Sequence, residues 1–102
     1  MYIAPYPYLE HLLGAYFHQD CYDDGATNAQ IVEDFKQTTH GYEVLGLRAD
    51  ILRFLHLHRG ELKVAVEKAF SPDVSLGETD DGVEAWLITI ERQLRASDTP
   101  RA

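Results

Sequence analysis

Apolar residues recur three and four positions apart along most of this chain, in stretches separated by short polar breaks. Pro5 and Pro7 fix an extended lead-in, and Pro7 suits a first helical turn because it needs no amide partner there. From Tyr8 the set Leu9, Leu12, Leu13, Tyr16 and Phe17 falls at helical spacing, which predicts a helix ending near Gln19 to Cys21. Tyr22-Asp23-Asp24-Gly25 then predicts a turn, since Asp side chains accept local amides and glycine tolerates positive φ. Thr27 or Asn28 is a candidate cap for a second helix with Ile31, Val32 and Phe35 on one face, and Gln30, three after Thr27, matches a capping box. That helix should stop around Thr38, Thr39, His40 and Gly41.

A third helix is predicted over Glu43 to Leu57. Val44, Leu47, Ile51, Leu52 and Leu55 make its buried stripe, Phe54 widens the apolar arc, and Arg48, Asp50 and Arg53 face out. Arg59-Gly60 breaks it. Glu61 to Phe70 supplies a shorter fourth helix through Leu62, Ala65, Val66 and Ala69, and Ser71-Pro72 ends it. After a polar connector, Asp81 with Glu84 three residues later reads as the capped start of a fifth helix carrying Val83, Trp86, Leu87, Ile90 and Leu94. Arg92 and Arg95 lie near its favourable C-terminal end. The expected fold class is therefore all-α, a compact irregular bundle of about five helices. The expected organisation is one domain over residues 1–102 with a polar tail fraying from about Ala96.

Charge changes this picture, because it is unevenly spread. Up to position 43 the acids are Glu10, Asp20, Asp23, Asp24, Glu33, Asp34 and Glu43, and the lone lysine or arginine is Lys36. Seven acids against one base give that part −6 of the chain's formal −8, interleaved with tyrosines. Such a surface repels phosphate backbones and suits a basic protein. No stripe of Lys and Arg is present to release counterions from nucleic acid or to meet an anionic membrane, so neither is an expected partner. No apolar run approaches the roughly 20 residues that cross a bilayer. The amino end lacks a basic segment followed by an apolar one, and Cys21 is the single cysteine, so the expectation is a cytoplasmic protein without a signal peptide or internal disulfide.

The densest group of potential ligands is His18, Asp20, Asp23 and Asp24. A calcium loop begun at Asp20 would place Ile31 where the closing glutamate belongs. A zinc site could begin with His18 and Cys21, but two further ligands would have to arrive from elsewhere. His56 and His58 are two apart and do not make the i,i+4 pair of metal-binding helices. No nucleophile elbow, Gly-rich phosphate loop or Cys-x-x-Cys motif is present. The expectation is a protein that is not an enzyme and carries no cofactor or metal.

The run Tyr8-Leu9-Glu10-His11-Leu12-Leu13-Gly14-Ala15-Tyr16-Phe17-His18-Gln19-Asp20, continued by Tyr22-Asp23-Asp24-Gly25 and Ile31-Val32-Glu33-Asp34-Phe35, resembles a family of immunity proteins of bacterial contact-dependent growth inhibition systems. The block Ala15 to Asp20 is its most specific part; where an aromatic is expected after the Gln-Asp pair, this chain has Cys21 and then Tyr22. The resemblance implies a small helical protein that binds the C-terminal toxin domain of a delivered effector, such toxins often being nucleases with basic clefts. Combined with the charge asymmetry, it nominates His18, Asp20, Tyr22, Asp23, Asp24, Glu33 and Asp34 as the partner-binding set. Tyr16 and Phe17, on or beside the apolar stripe, read as packing. The alternative is an acidic helical adaptor or self-associating protein without a toxin partner.

Overall fold

The computed structural model describes residues 4–95, and the polar tail from Ala96 lies outside them. The described residues form α1 (Pro7–His11), a π-helical turn (Leu12–Tyr16), α2 (Asn28–Thr38), α3 (Gly41–Leu57), α4 (Leu62–Phe70) and α5 (Asp80–Arg95), with no strand among them. The all-α bundle of five helices expected from the periodicity is present. α3 packs against α1 on one side and α5 on another, while α2 and α4 each lean on α5. Leu9, Leu12, Phe17, Val32, Leu47, Ile51, Phe54 and Leu87 are fully enclosed at the centre. Phe54 sits in an aromatic knot with Tyr6 (centroids 5.1 Å apart) and Phe70 (5.4 Å).

Several boundaries depart from expectation. The first helix does not run on to Gln19–Cys21: it widens into the π turn and stops at Tyr16, where the Phe17 amide donates to the Leu12 carbonyl at 3.1 Å, five residues back. Phe17 then leaves the helical path (φ −103°, ψ 49°) and is buried with its ring edge-on to Trp86, centroids 5.0 Å apart. His18 and Asp20 therefore lie in the following turn. At the other end of the chain, Thr79 rather than Asp81 caps α5, accepting from the Gly82 amide at 3.1 Å. Its neighbour Asp80 accepts from the Lys63 amide at 2.9 Å and so holds the start of α4.

α3 shows the largest differences. Leu52, expected inside, is 50% exposed, and Asp50, expected outside, is 3% exposed. The helical period sets Asp50 on the face of Leu47 and Phe54 and turns Leu52 outward with Leu45, and tertiary contacts satisfy the buried charge. Asp50 Oδ2 accepts from the amides of Tyr8 (2.8 Å) and Leu9 (3.2 Å), two of the unpaired donors at the start of α1, where Tyr6 offers no side-chain cap. Arg53 closes this junction from outside: it reaches Asp50 Oδ1 at 3.4 Å, donates to the Pro5 carbonyl, and lies 4.8 Å from the Tyr6 ring centroid. Gly46 makes the junction possible, since a Cβ there would come within 2.4 Å of the Tyr8 ring. A second buried acid, Glu91 of α5 (5% exposed), pairs with Arg48 at 3.2 Å and Arg95 at 3.1 Å, joining α5 to α3.

Candidate functional site

The turn from His18 to Gly25 is built by successive short backbone bonds. The amides of Cys21, Asp23 and Gly25 donate to the carbonyls of His18 (3.0 Å), Asp20 (3.1 Å) and Tyr22 (3.0 Å). Gly25 takes φ +79°, which the backbone of an L residue would resist. The Asp20 amide donates to His18 Nδ1 at 3.1 Å, an arrangement that leaves the proton of the neutral ring on Nε2. The Tyr22 hydroxyl donates to Asn28 Oδ1, tying the turn to the first residue of α2. α2 itself begins on the capping box expected from sequence. Gln30 N donates to Thr27 Oγ1 (3.2 Å), and Gln30 Oε1 accepts from Thr27 N (2.8 Å).

The seven sequence-nominated residues are all exposed, and the fold sorts them into three groups. His18 and Asp34 line one recess of about 260 Å³ between the turn and α2, shared with Tyr16, Cys21, Ala26 and Ile31. Glu33 and Asp34 line a wider one of about 510 Å³ between α2 and α5, shared with Ala29, Gln37 and Gln93. Asp20, Tyr22, Asp23 and Asp24 stay in the turn and line neither. Gln30 and Asp34, one helical turn apart, border both recesses and make the ridge between them. Gln30 is the residue sequence reasoning missed at this surface. Its capping role was legible, but the i,i+4 step to Asp34 was the signal that it also shares the outer face.

Electrostatically the acids are not equivalent. Glu33 is held by Lys36 Nζ at 3.3 Å and Gln93 Nε2 at 3.4 Å. Gln93 also donates to the Ala29 carbonyl (2.8 Å) and accepts from Lys36 on its own carbonyl (3.2 Å), so Glu33 belongs to a polar clamp between α2 and α5. The lone base of the acidic half is thereby committed. No ion pair among the described residues involves Asp20, Asp23, Asp24 or Asp34. Burial raises the Cys21 thiol above its ordinary pKa, and Asp23 and Asp20 push the same way; that direction is opposite to the one that activates a nucleophile. Burial also raises the Tyr22 hydroxyl, with Cys21 adding to the effect. Among the described residues no three His, Cys, Asp or Glu side chains converge as metal ligands, and no helix is long and apolar enough to cross a membrane.

A family model described as the CdiI immunity protein matches residues 5–94. The chain belongs to that family. The match reaches from before α1 to the penultimate residue of α5, so it takes in the bundle as well as the amino-terminal third that carries the resemblance. No curated protein and no solved structure matches the chain. Members of the CdiI immunity family neutralise a cognate toxin by binding it and are not catalysts. Within the block from Ala15 to Asp20, Tyr16 and Phe17 are packing residues, as their place in the pattern predicts. Tyr16 stands edge-on to Phe35 at 5.2 Å and bonds Thr38 Oγ1 at 2.7 Å, while Phe17 fills the core. His18 and Asp20 follow at the surface.

Proposed function

We propose that this immunity protein silences its toxin by laying the acidic turn and the outer face of α2 over a basic surface of a nuclease domain, in the cytoplasm of the cell that makes both. Asp20, Asp23, Asp24 and Asp34 supply the charge, and Tyr22 and His18 supply contact area between them. The observation that carries this reading is that these four exposed carboxylates gather on one turn and the adjoining α2 with no ion pair among the described residues, whereas the buried acids Asp50 and Glu91 and the α2 acid Glu33 are each held by at least one base. A fold retains unpaired like charges on one region at a cost in self-repulsion, and an oppositely charged partner offsets that cost. Complementary charge chiefly raises the association rate, so the rate constant for binding the cognate toxin domain should fall with added salt. Replacing Asp23 and Asp24 by lysine should slow association and weaken protection in a nuclease assay. Full-strength, salt-independent binding by that variant would refute the reading.

A second reading, self-association, rests on a different face. Tyr42 (64% exposed), Leu45 (61%) and Leu52 line up at helical spacing along the outside of α3 with the small exposed Ala49 between them. An exposed apolar stripe is the kind of surface through which a second copy could pack. Sedimentation of the isolated chain at micromolar concentration distinguishes the two: a monomer leaves the toxin-facing reading alone, and a dimer that Leu45→Glu dissolves supports the second.

A further inference from the structure

We infer that the recess between the turn and α2 is a socket for a single arginine or lysine side chain of the toxin, with Asp34 as its counter-charge and the turn acids as its outer rim. This rests on the acidic-face reading above and ranks the residues within it.

At about 260 Å³ the recess is smaller than the roughly 300–1,000 Å³ of sites that enclose free small molecules, so one long side chain suits it better than a separate ligand. Its lining joins the polar side chains of Tyr16, His18, Gln30 and Asp34 to Cys21, Ala26 and Ile31. Ala26 and Ile31 offer apolar surface for an aliphatic stem, and Asp34 offers a carboxylate for the cationic head. Lysine and arginine are the side chains that carry both parts. The wall is also held in place before any partner arrives. Tyr16 is fixed by its bond to Thr38, and Thr38 in turn donates to the Asp34 carbonyl at 2.8 Å. α2 is anchored by its capping box, by the Lys36–Glu33–Gln93 clamp and by buried Ile31, Val32 and Phe35. A group held rigidly on a helix loses little freedom on binding. Lys36, the nearest lysine or arginine in sequence, is occupied by Glu33 and Gln93, and among the described residues Asp34 makes no ion pair. Asp23 and Asp24 lie outside the recess and act as steering charges.

The test compares three variants of the full chain against the cognate toxin domain by binding kinetics, with thermal melts confirming that each remains folded. Asp34→Asn should raise Kd about 100-fold, mainly through faster dissociation, whereas Asp23→Asn with Asp24→Asn should raise it only about 5-fold, mainly through slower association. Ala26→Leu fills the recess without altering charge and should raise Kd by about 30-fold or more if a toxin side chain enters there. An Asp34→Asn protein that binds within threefold of native, or that loses less than the double turn variant, overturns the socket. So does native binding by Ala26→Leu. If the turn variant alone weakens binding, the socket falls and the acidic-face reading stands; if none of the charge variants matters, both fall.

Discussion

Two sets of carboxylates in this small bundle are used in opposite ways. Asp50 and Glu91 are buried, and each is pinned by arginine; Asp50 also receives the two amides at the head of α1. Asp20, Asp23, Asp24 and Asp34 are exposed, and among the described residues none has a cationic partner. The first set holds helices together across α1, α3 and α5. The second holds nothing together internally. Every buried side-chain polar atom among the described residues has a hydrogen-bond partner, so the fold satisfies its polar groups where burial makes an unpaired one costly and leaves acids unpaired only at the surface. The same residue type is structural in one place and available for a partner in the other, and burial with a fixed donor is what separates the two.

That separation breaks most visibly at Asp50. Asp50→Ala removes the cap of α1 and leaves Arg53 with only the Pro5 carbonyl and the Tyr6 ring, so we expect a loss of about 3 kcal/mol in urea unfolding. Because α1 leads through the π turn into the acidic turn, toxin affinity should fall with it. A loss below 1 kcal/mol would mean that the cap is not what holds α1 against α3. Gly46→Ala attacks the same junction sterically. The Tyr8 ring must move, which should cost about 1–2 kcal/mol net of the small gain in helix propensity. Glu91→Gln should cost about 1 kcal/mol, since its arginine partners are partly exposed and can rehydrate.

The opposite pattern is expected in the turn. Asp23→Asn with Asp24→Asn should leave unfolding stability within about 0.5 kcal/mol of native, because among the described residues neither side chain makes an ion pair. The smallest effect concerns Cys21. A thiol whose pKa lies above its ordinary value has less thiolate at any given pH, so its alkylation by iodoacetamide at pH 8 should be slower than that of free cysteine. Faster alkylation would contradict the direction of that shift.

What the sequence disclosed followed from how local each signal is. The α2 capping box spans four residues and was legible from Thr27 and Gln30, and the apolar stripes that build the bundle were legible from their spacing. The Asp50 cap joins residues more than forty positions apart; the helical period does put Asp50 on the stripe of Leu47 and Phe54, but its charge argued for solvent until the α1 amides that satisfy it were in view. The π turn escaped for a related reason: Leu12, Leu13 and Phe17 keep a helical period in sequence while the backbone widens to seat Phe17 against Trp86. At α5, three polar residues in a row, Thr79, Asp80 and Asp81, are all suitable caps, and only the bond from Gly82 to Thr79 and the use of Asp80 by α4 decide among them. The candidate site was legible as charge but not as shape. The acids could be counted, whereas the clamp that occupies Glu33 and the recess that Asp34 borders arise from α5 and the turn, respectively, closing on α2.

Amide hydrogen exchange of the whole chain, with and without the cognate toxin domain, tests the central claim most directly. Partner binding should protect the turn from His18 to Gly25 and the following first two turns of α2, and leave the outer stripe of α3 exchanging as in the free protein. Protection confined to α3 or α4, with the acidic turn unchanged, would contradict it.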